Sequence, residues 1–327
     1  MHAIANQETH AHQPESETCC MALGRVVSQV RLVPVAPEVW SLLTMHGAGN
    51  SRFAPRIPNR LLVFRVRDAG GNASLIIVNA VWPDEDNGQP FAALHALSAE
   101  LGAPIRFILN PGPEHHLSLA KYAEAFPDAR VCVAAGRIQR ENPELCALDN
   151  VETMAVGDAL PELSQQGFHV HVWDGFMEGK ILNQSQFRIG AKRGTSEPTV
   201  FWHEASNTFL NGGHGWFYWS EGDKQPWLIR KMMRLQQGQV TWSPIHYSMH
   251  DRARCIESGR RILDWRFDRL LDLHVGQDKR IDSGAHAIAE GLMQPLLEEN
   301  WDALPFGVEP LEIPEGKVTG GNWKSYR

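Results

Sequence analysis

What most constrains this chain is an alternation. Short apolar runs ending in turn residues are followed by stretches with helical apolar spacing, and then by apolar runs again. "LLVFRVRD" and "GGNASLIIVNAV" (Leu61–Asp68 and Gly70–Val81) read as a hairpin that turns at Gly70, Gly71 and Asn72. "PFAALHALSAELG" (Pro90–Gly102) reads as a helix with a glycine stop. "IRFILN" (Ile105–Asn110) is a buried-type strand, "HLSLAKYAEAFP" (His116–Pro127) a helix ended by its proline, and "ARVCVAA" (Ala129–Ala135) a strand. Upstream, "GRVVSQVRLVPV" (Gly24–Val35) and "EVWSLLT" (Glu38–Thr44) are strand-like, while two prolines make "SRFAPRIPNR" (Ser51–Arg60) a predicted loop. Such an order calls for sheets covered by helices.

The second half repeats the style. "GFHVHVWDG", "SQFRIG", "TVFWHEA" and "NTFLNGG" are predicted strands, with "ASNT" as a hairpin turn between the last two. "DRARCIESGRRILDW" (Asp251–Trp265) is a helix, "RLLDLHVG" (Arg269–Gly276) a strand, and "SGAHAIAEGLMQPLLEEN" (Ser283–Asn300) a closing helix. The expectation is a β-rich α/β sandwich in two similar halves.

With 327 residues the chain can bury a sizeable core. A formal net charge of -7 gives no basic field, which argues against nucleic acid and anionic membranes as partners. No apolar run reaches membrane-spanning length. Five cysteines, an odd number without Cys-x-x-Cys spacing, point to reduced thiols and a cytoplasmic location. Residues 1–24 read as a polar disordered tail and 304–327 as a loosely held one, leaving 25–303 as the folded domain.

Chemistry concentrates at strand ends. In "FILNPGPEHH" the strand stops at Asn110, Pro111 to Pro113 restrict the loop, and Glu114, His115 and His116 follow as candidate metal ligands. The plainer alternative is a helix start, with Glu114 in the first turn and His116 facing solvent. His274 ends the strand in "LLDLHVG", where a packed or capping role competes with ligation. In "TFLNGGHGWFYW" the paired glycines imply a sharp turn or a close backbone approach beside His214. Trp216 to Trp219, together with Trp82, Trp173 and Trp202, line an apolar cavity or belong to the core. His246 and His250 in "SPIHYSMHD" are a weak metal signal in a predicted loop. His169 and His171 share one strand face, and at least one of these and His203 is expected to be structural. Walker loops, dinucleotide fingerprints and nucleophile elbows do not occur in the sequence.

This order of elements and loops resembles the metallo-β-lactamase superfamily. The resemblance covers roughly residues 25 to 300 and rests on element order rather than a strong motif. It implies an αββα sandwich with its site at one edge of two sheets. Laid on "NPGPEHH", the family's His-x-His-x-Asp-His signature puts Asn110 and Gly112 at its first two histidines, Glu114 at the aspartate and His115 at the last histidine. The bridging aspartate would fall at Gly213, the final histidine at His274, and the intermediate histidine within "HVWDGFMEGK".

The resemblance therefore implies that one of the family's two metal positions is lost. The other would be a Glu114, His115 and His274 site, with His214 as an additional ligand or catalytic group. Three readings stay open. One is a hydrolase acting on a small-molecule substrate with one divalent metal, zinc or iron, in which Glu114 or a nearby histidine carries the proton. Another is a mononuclear iron oxidoreductase. The last is a metal-free acid/base enzyme or a binding protein.

Overall fold

A computed structural model of the chain describes residues 31–47, 56–81, 89–112, 115–134, 138–139, 142–178, 198–212, 215–220, 231, 236–242, 247–249 and 251–304. The first sheet contains β1 (Val33–Ala36), β2 (Val39–Gly47), β3 (Arg56–Arg67), β4 (Ala73–Val78), β5 (Ile105–Leu109), β6 (Arg130–Ala134) and β7 (Val151–Met154), in that spatial order. The next strands are β8 (Gly157–Ala159), β9 (Phe168–Val172), β10 (Phe176–Glu178), β11 (Thr199–His203), β12 (Thr208–Asn211), β13 (Trp216–Tyr218), β14 (Val240–Trp242), β15 (Tyr247–Met249) and β16 (Arg269–Asp272). Of these, β16-β12-β11-β9-β8 form the second sheet, while β13–β14 and β10–β15 form small ribbons.

Six α-helices accompany the strands among the described residues: α1 (Gln89–Leu101), α2 (Leu119–Ala125), α3 (Pro143–Cys146), α4 (Pro161–Ser164), α5 (Arg252–Leu263) and α6 (Ala285–Leu297).

The period-two alternation of the strands builds the layers. On β3, Leu62 and Phe64 face the second sheet and meet Phe168 and Phe201, whereas Leu61 and Val63 face outward toward Leu94 of α1 and Leu119 of α2. On the second sheet, Leu210 and Leu271 point into the space between the sheets. Phe209 and Leu270 point out to Ile262 of α5 and Met293 of α6. The result is four layers, helix, sheet, sheet, helix, which is the αββα sandwich that the resemblance implies. Each fully buried Leu, Ile or Phe contributes roughly 1.5–3 kcal/mol, so three such cores tie the layers together.

The hairpin at Gly70–Asn72 forms as expected, with Gly71 at φ 81°. The turn before Thr208 also forms, closed by Asn207 at φ 54°. Helix α5 starts where Asp251 caps it, its carboxylate accepting the Arg254 N–H at 3.1 Å.

Two expectations are corrected. The predicted loop ending at Arg60 is strand from Arg56 onward, with Pro58 opposite Met45 of β2. Proline is tolerated there because β4 reaches only to the Leu62–Val78 pair, so Pro58 lies on an overhang with a neighbour strand on one side. The helix predicted from His116 begins only at Leu119, so its first turn does not include position 114. His116 is buried, not solvent-facing. The predicted strand "SQFRIG" lies outside the described residues.

The topology also sets where chemistry collects. β4, β5 and β6 are parallel, so Asn79 and Asn110 stand side by side just past their strand ends. β12 and β16 are parallel too, with Asn211 opposite Asp272. These C-terminal ends meet at one edge, where the Thr199 N–H donates to the Pro111 carbonyl and the Arg60 N–H to the Leu273 carbonyl. Irregular loops at such an edge are carried on a rigid base.

Candidate functional site

Two of the four predicted site residues come together at this edge. The rings of His115 and His274 lie with their centres 5.3 Å apart, although the residues follow strands of different sheets. Glu114 and His214 lie outside the described residues, as do Gly213, His246 and His250. Among the described residues, no three His, Cys, Asp or Glu side chains gather as a metal-holding group.

The hydrogen bonds at each ring set its tautomer. His115 Nδ1 is 2.9 Å from Asn79 Oδ1. Asn79 presents its amide nitrogen to the Arg60 carbonyl at 2.7 Å and to Asn59 Oδ1 at 2.7 Å. A carbonyl only accepts, so the Asn79 nitrogen must face Arg60 and its oxygen must face the ring. His115 therefore carries its proton on Nδ1 and keeps Nε2 as the lone-pair nitrogen. The same logic holds for His274, whose Nδ1–H donates to the Pro58 carbonyl at 2.9 Å. Asn79 is fully buried at φ 70°, a conformation asparagine tolerates better than most residues.

Asn110, at the position of the signature's first histidine, is spent differently. Its amide Nδ2–H donates to the His115 carbonyl at 3.0 Å, bracing the loop from within. Asn79 and Asn110 thus hold His115 by its ring and by its main chain. The first glycine of the pair also acquires a reason. A Cβ at Gly212 would run into the Thr199 carbonyl oxygen and the Phe201 ring, so the close approach of β11 requires glycine there.

Behind His274 stands a buried polar group that sequence reasoning missed. Asp272 is 2 % exposed, and its Oδ1 accepts the His274 N–H at 2.7 Å while Oδ2 accepts the Tyr218 N–H at 3.2 Å. Arg60, with no exposed surface, donates through Nη1 to the carbonyls of Asp272 (3.1 Å) and Lys279 (2.7 Å), and through Nε to Ser41 Oγ (3.0 Å). Phe217 stacks on His274 at 6.0 Å. The one available signal was a polar residue interrupting an apolar run: Asn79 in "LIIVNAV" and Asp272 in "RLLDLHVG".

The remaining histidines and tryptophans go elsewhere. His171, in the stretch where the intermediate family histidine was sought, turns to the outer face of the second sheet. It donates Nδ1–H to Asp158 Oδ1 at 2.8 Å and meets Trp265 edge to face. Burial holds its pKa below the usual histidine value, against the opposing pull of Asp158. His169 stacks on Trp202 at 4.8 Å and pairs with Glu204. His203 uses both nitrogens, one taking the Ser206 hydroxyl proton at 2.8 Å and the other donating to the Arg65 carbonyl at 3.2 Å. Burial pushes its pKa down to about 4. The cavity reading of the tryptophans is corrected. Trp173 and Trp216 are core, packed with Trp242 and Phe176 under α5 and α6, and Trp202 stacks on Trp265. Trp82 lies outside the described residues.

No family model and no curated protein matches the sequence. Solved structures do match in shape. A metallo-β-lactamase from Hirschia baltica is 11% identical, with a TM-score of 0.48 over 86% of this chain and 100% of that one. One from Pontibacter korlensis is 10% identical, with a TM-score of 0.47 over 82% and 99%. The FIM-1 metallo-β-lactamase of Pseudomonas aeruginosa in its mono-zinc form is 14% identical, with a TM-score of 0.46 over 84% and 99%. The four layers and their connections, described above, carry the fold: an αββα sandwich. Among the described residues, no helix is long and apolar enough to cross a membrane.

Proposed function

We propose that this chain is a hydrolase-like protein acting on a small molecule, with at most one divalent metal, zinc or iron, held by Glu114, His115 and His274. The observation that carries this reading is the imidazole pair. Two rings carried past the strand ends of different sheets lie 5.3 Å apart, and each gives its Nδ1–H to a neutral oxygen. Ligating histidines usually have their second nitrogen held in this way, because the bond fixes the tautomer and the ring's aim. The two imidazoles are of the type that holds a single ion, and Glu114, outside the described residues, is the carboxylate we propose beside them. It does not fit the family's other position, where Asn110 is committed to the loop and Gly112 has no side chain.

A bound divalent ion would supply Lewis acidity, bringing a water's pKa toward neutrality. The chain's own part is orientation. Asn79 and Pro58 hold the two imidazoles, and the stacked Phe217 covers one face of His274. Glu114 or His214 moves the proton. On the reduced-thiol argument above, the protein works in the cytoplasm.

The test is metal content of protein purified without chelator, followed by His274→Ala. About one zinc per chain in the parent and background zinc in the variant supports the reading. Iron with oxygen consumption transfers it to redox chemistry. No metal after loading transfers it to metal-free acid/base work or binding. Unchanged retention in the variant removes His274 from the ligand set.

A further inference from the structure

A continuous line of hydrogen bonds joins the His115 ring to the His274 main chain from behind. The His115 ring donates to Asn79, Asn79 donates to the Arg60 carbonyl, the Arg60 guanidinium donates to the Asp272 carbonyl, and the Asp272 carboxylate accepts from the His274 main-chain N–H. Every side chain in the line from Asn79 to Asp272 is at most 2 % exposed. We propose that Arg60 and Asp272 are positioning residues, which set the separation and aim of the His115–His274 pair and lock His274 to the strand that carries Phe217. This rests on the pair being the site proposed above.

Local structure explains only part of the arrangement. An aspartate at a strand end that accepts the N–H two residues on is an ordinary Asx turn. Asp272 also takes the Tyr218 N–H, from a segment 54 residues away in sequence. That second bond fixes β13 relative to His274, and with it the Phe217 ring 6.0 Å away. Arg60 likewise reaches Ser41 on β2 and Lys279 beyond β16, so one guanidinium joins both sheets.

Burying a cation and an anion costs free energy that well-packed apolar groups would not. What the two residues supply in return is geometry. Their many fixed bonds leave the strand ends a single relative position, and His115 and His274 ride on those ends.

The experiment uses the full-length chain without metal, then with zinc. In the metal-free protein, the Nδ1–H groups of His115 and His274 should each give a slowly exchanging imidazole N–H signal in proton–nitrogen spectra. Asp272→Asn replaces one acceptor oxygen by a donor. By loosening the turn that carries His274, it should shift that ring off the Pro58 carbonyl, lose the His274 Nδ1–H signal to exchange, and weaken zinc binding, read by competition with a chromogenic chelator, about 10- to 100-fold. Asp272→Glu should restore neither fully.

The control is Ser206→Ala, which disturbs the interior at His203 and should leave both signals and zinc affinity unchanged. If Asp272→Asn does not fold, Tyr218→Pro compared with Tyr218→Ala asks the same question, because only the proline variant removes the N–H that reaches Asp272. It should lose the His274 signal where the alanine variant keeps it. Retention of that signal in Asp272→Asn, with zinc affinity equal to the control, overturns the proposal. If the parent binds no zinc while the signals respond as expected, the metal reading fails and the positioning role stands.

Discussion

Two sets of histidines occupy this molecule, and they differ in what their rings meet. His203 sits between Phe64 and Phe168 with both nitrogens spent, one on Ser206 and one on the Arg65 carbonyl. It bridges strands of the two sheets, and its low pKa of about 4 reflects a ring held neutral by burial. His115 and His274 each give Nδ1–H to a neutral oxygen, and their rings lie beside each other. His171 has the same tautomer, but its neighbour is the Trp265 edge rather than a second imidazole. What sets the His115–His274 pair apart from His203 and His171 is the second imidazole beside each ring.

The sharpest way to break this comparison is to damage both sets equally. Asn79→Ala removes the acceptor of His115 and two further hydrogen bonds, to Arg60 and Asn59, and should cost about 2–4 kcal/mol. His203→Leu should cost a similar ~2–4 kcal/mol in urea unfolding through lost bonds and altered packing. Zinc affinity should fall about 10- to 100-fold in the first and stay within about twofold in the second. Equal losses of affinity would erase the distinction.

Acid should sharpen it further. His203 has a folded pKa of about 4, below the ordinary histidine value of 6.5, so the unfolded chain binds its proton more readily. Its stabilising contribution is complete above pH 6.5 and is lost as pH falls toward 4. Between pH 7.5 and 5 this amounts to ~2 kcal/mol, and His203→Leu should lack that part of the acid slope. A parallel slope in parent and variant would show that His203 is not buried neutral.

The smallest effect is expected at Asp158→Ala. It breaks the bonds to His171 and Arg261, but the carboxylate is half exposed. The loss should stay below ~1 kcal/mol, with zinc affinity unchanged. A large loss of zinc would place His171 in the site after all.

Much of the architecture was legible in the residues. The hairpin at Gly70–Asn72, the turn at Asn207, α1, α5 and α6 follow from spacing, glycines and caps, which act over a few residues. Pro58 was misread because proline's local preference argues for a loop, while an overhanging strand with one neighbour accepts it. At the edge, the meeting of His115 and His274 was expected from the family resemblance, whereas the supports behind them were not. Arg60, Asn79 and Asp272 look like ordinary polar residues near strand ends until strands far apart in the chain are laid together.

The sequence by itself determined the layers. Period-two apolar faces and helical apolar stripes have few ways to hide from water other than sheets covered by helices. Only the tertiary structure decided which histidines serve structure and which face each other. Hydrogen bonds to ring nitrogens are directional and come here from residues distant in the chain, such as Asn79 for His115 and Pro58 for His274. No local pattern encodes such a partner, because the bond exists only once the two sheets have closed.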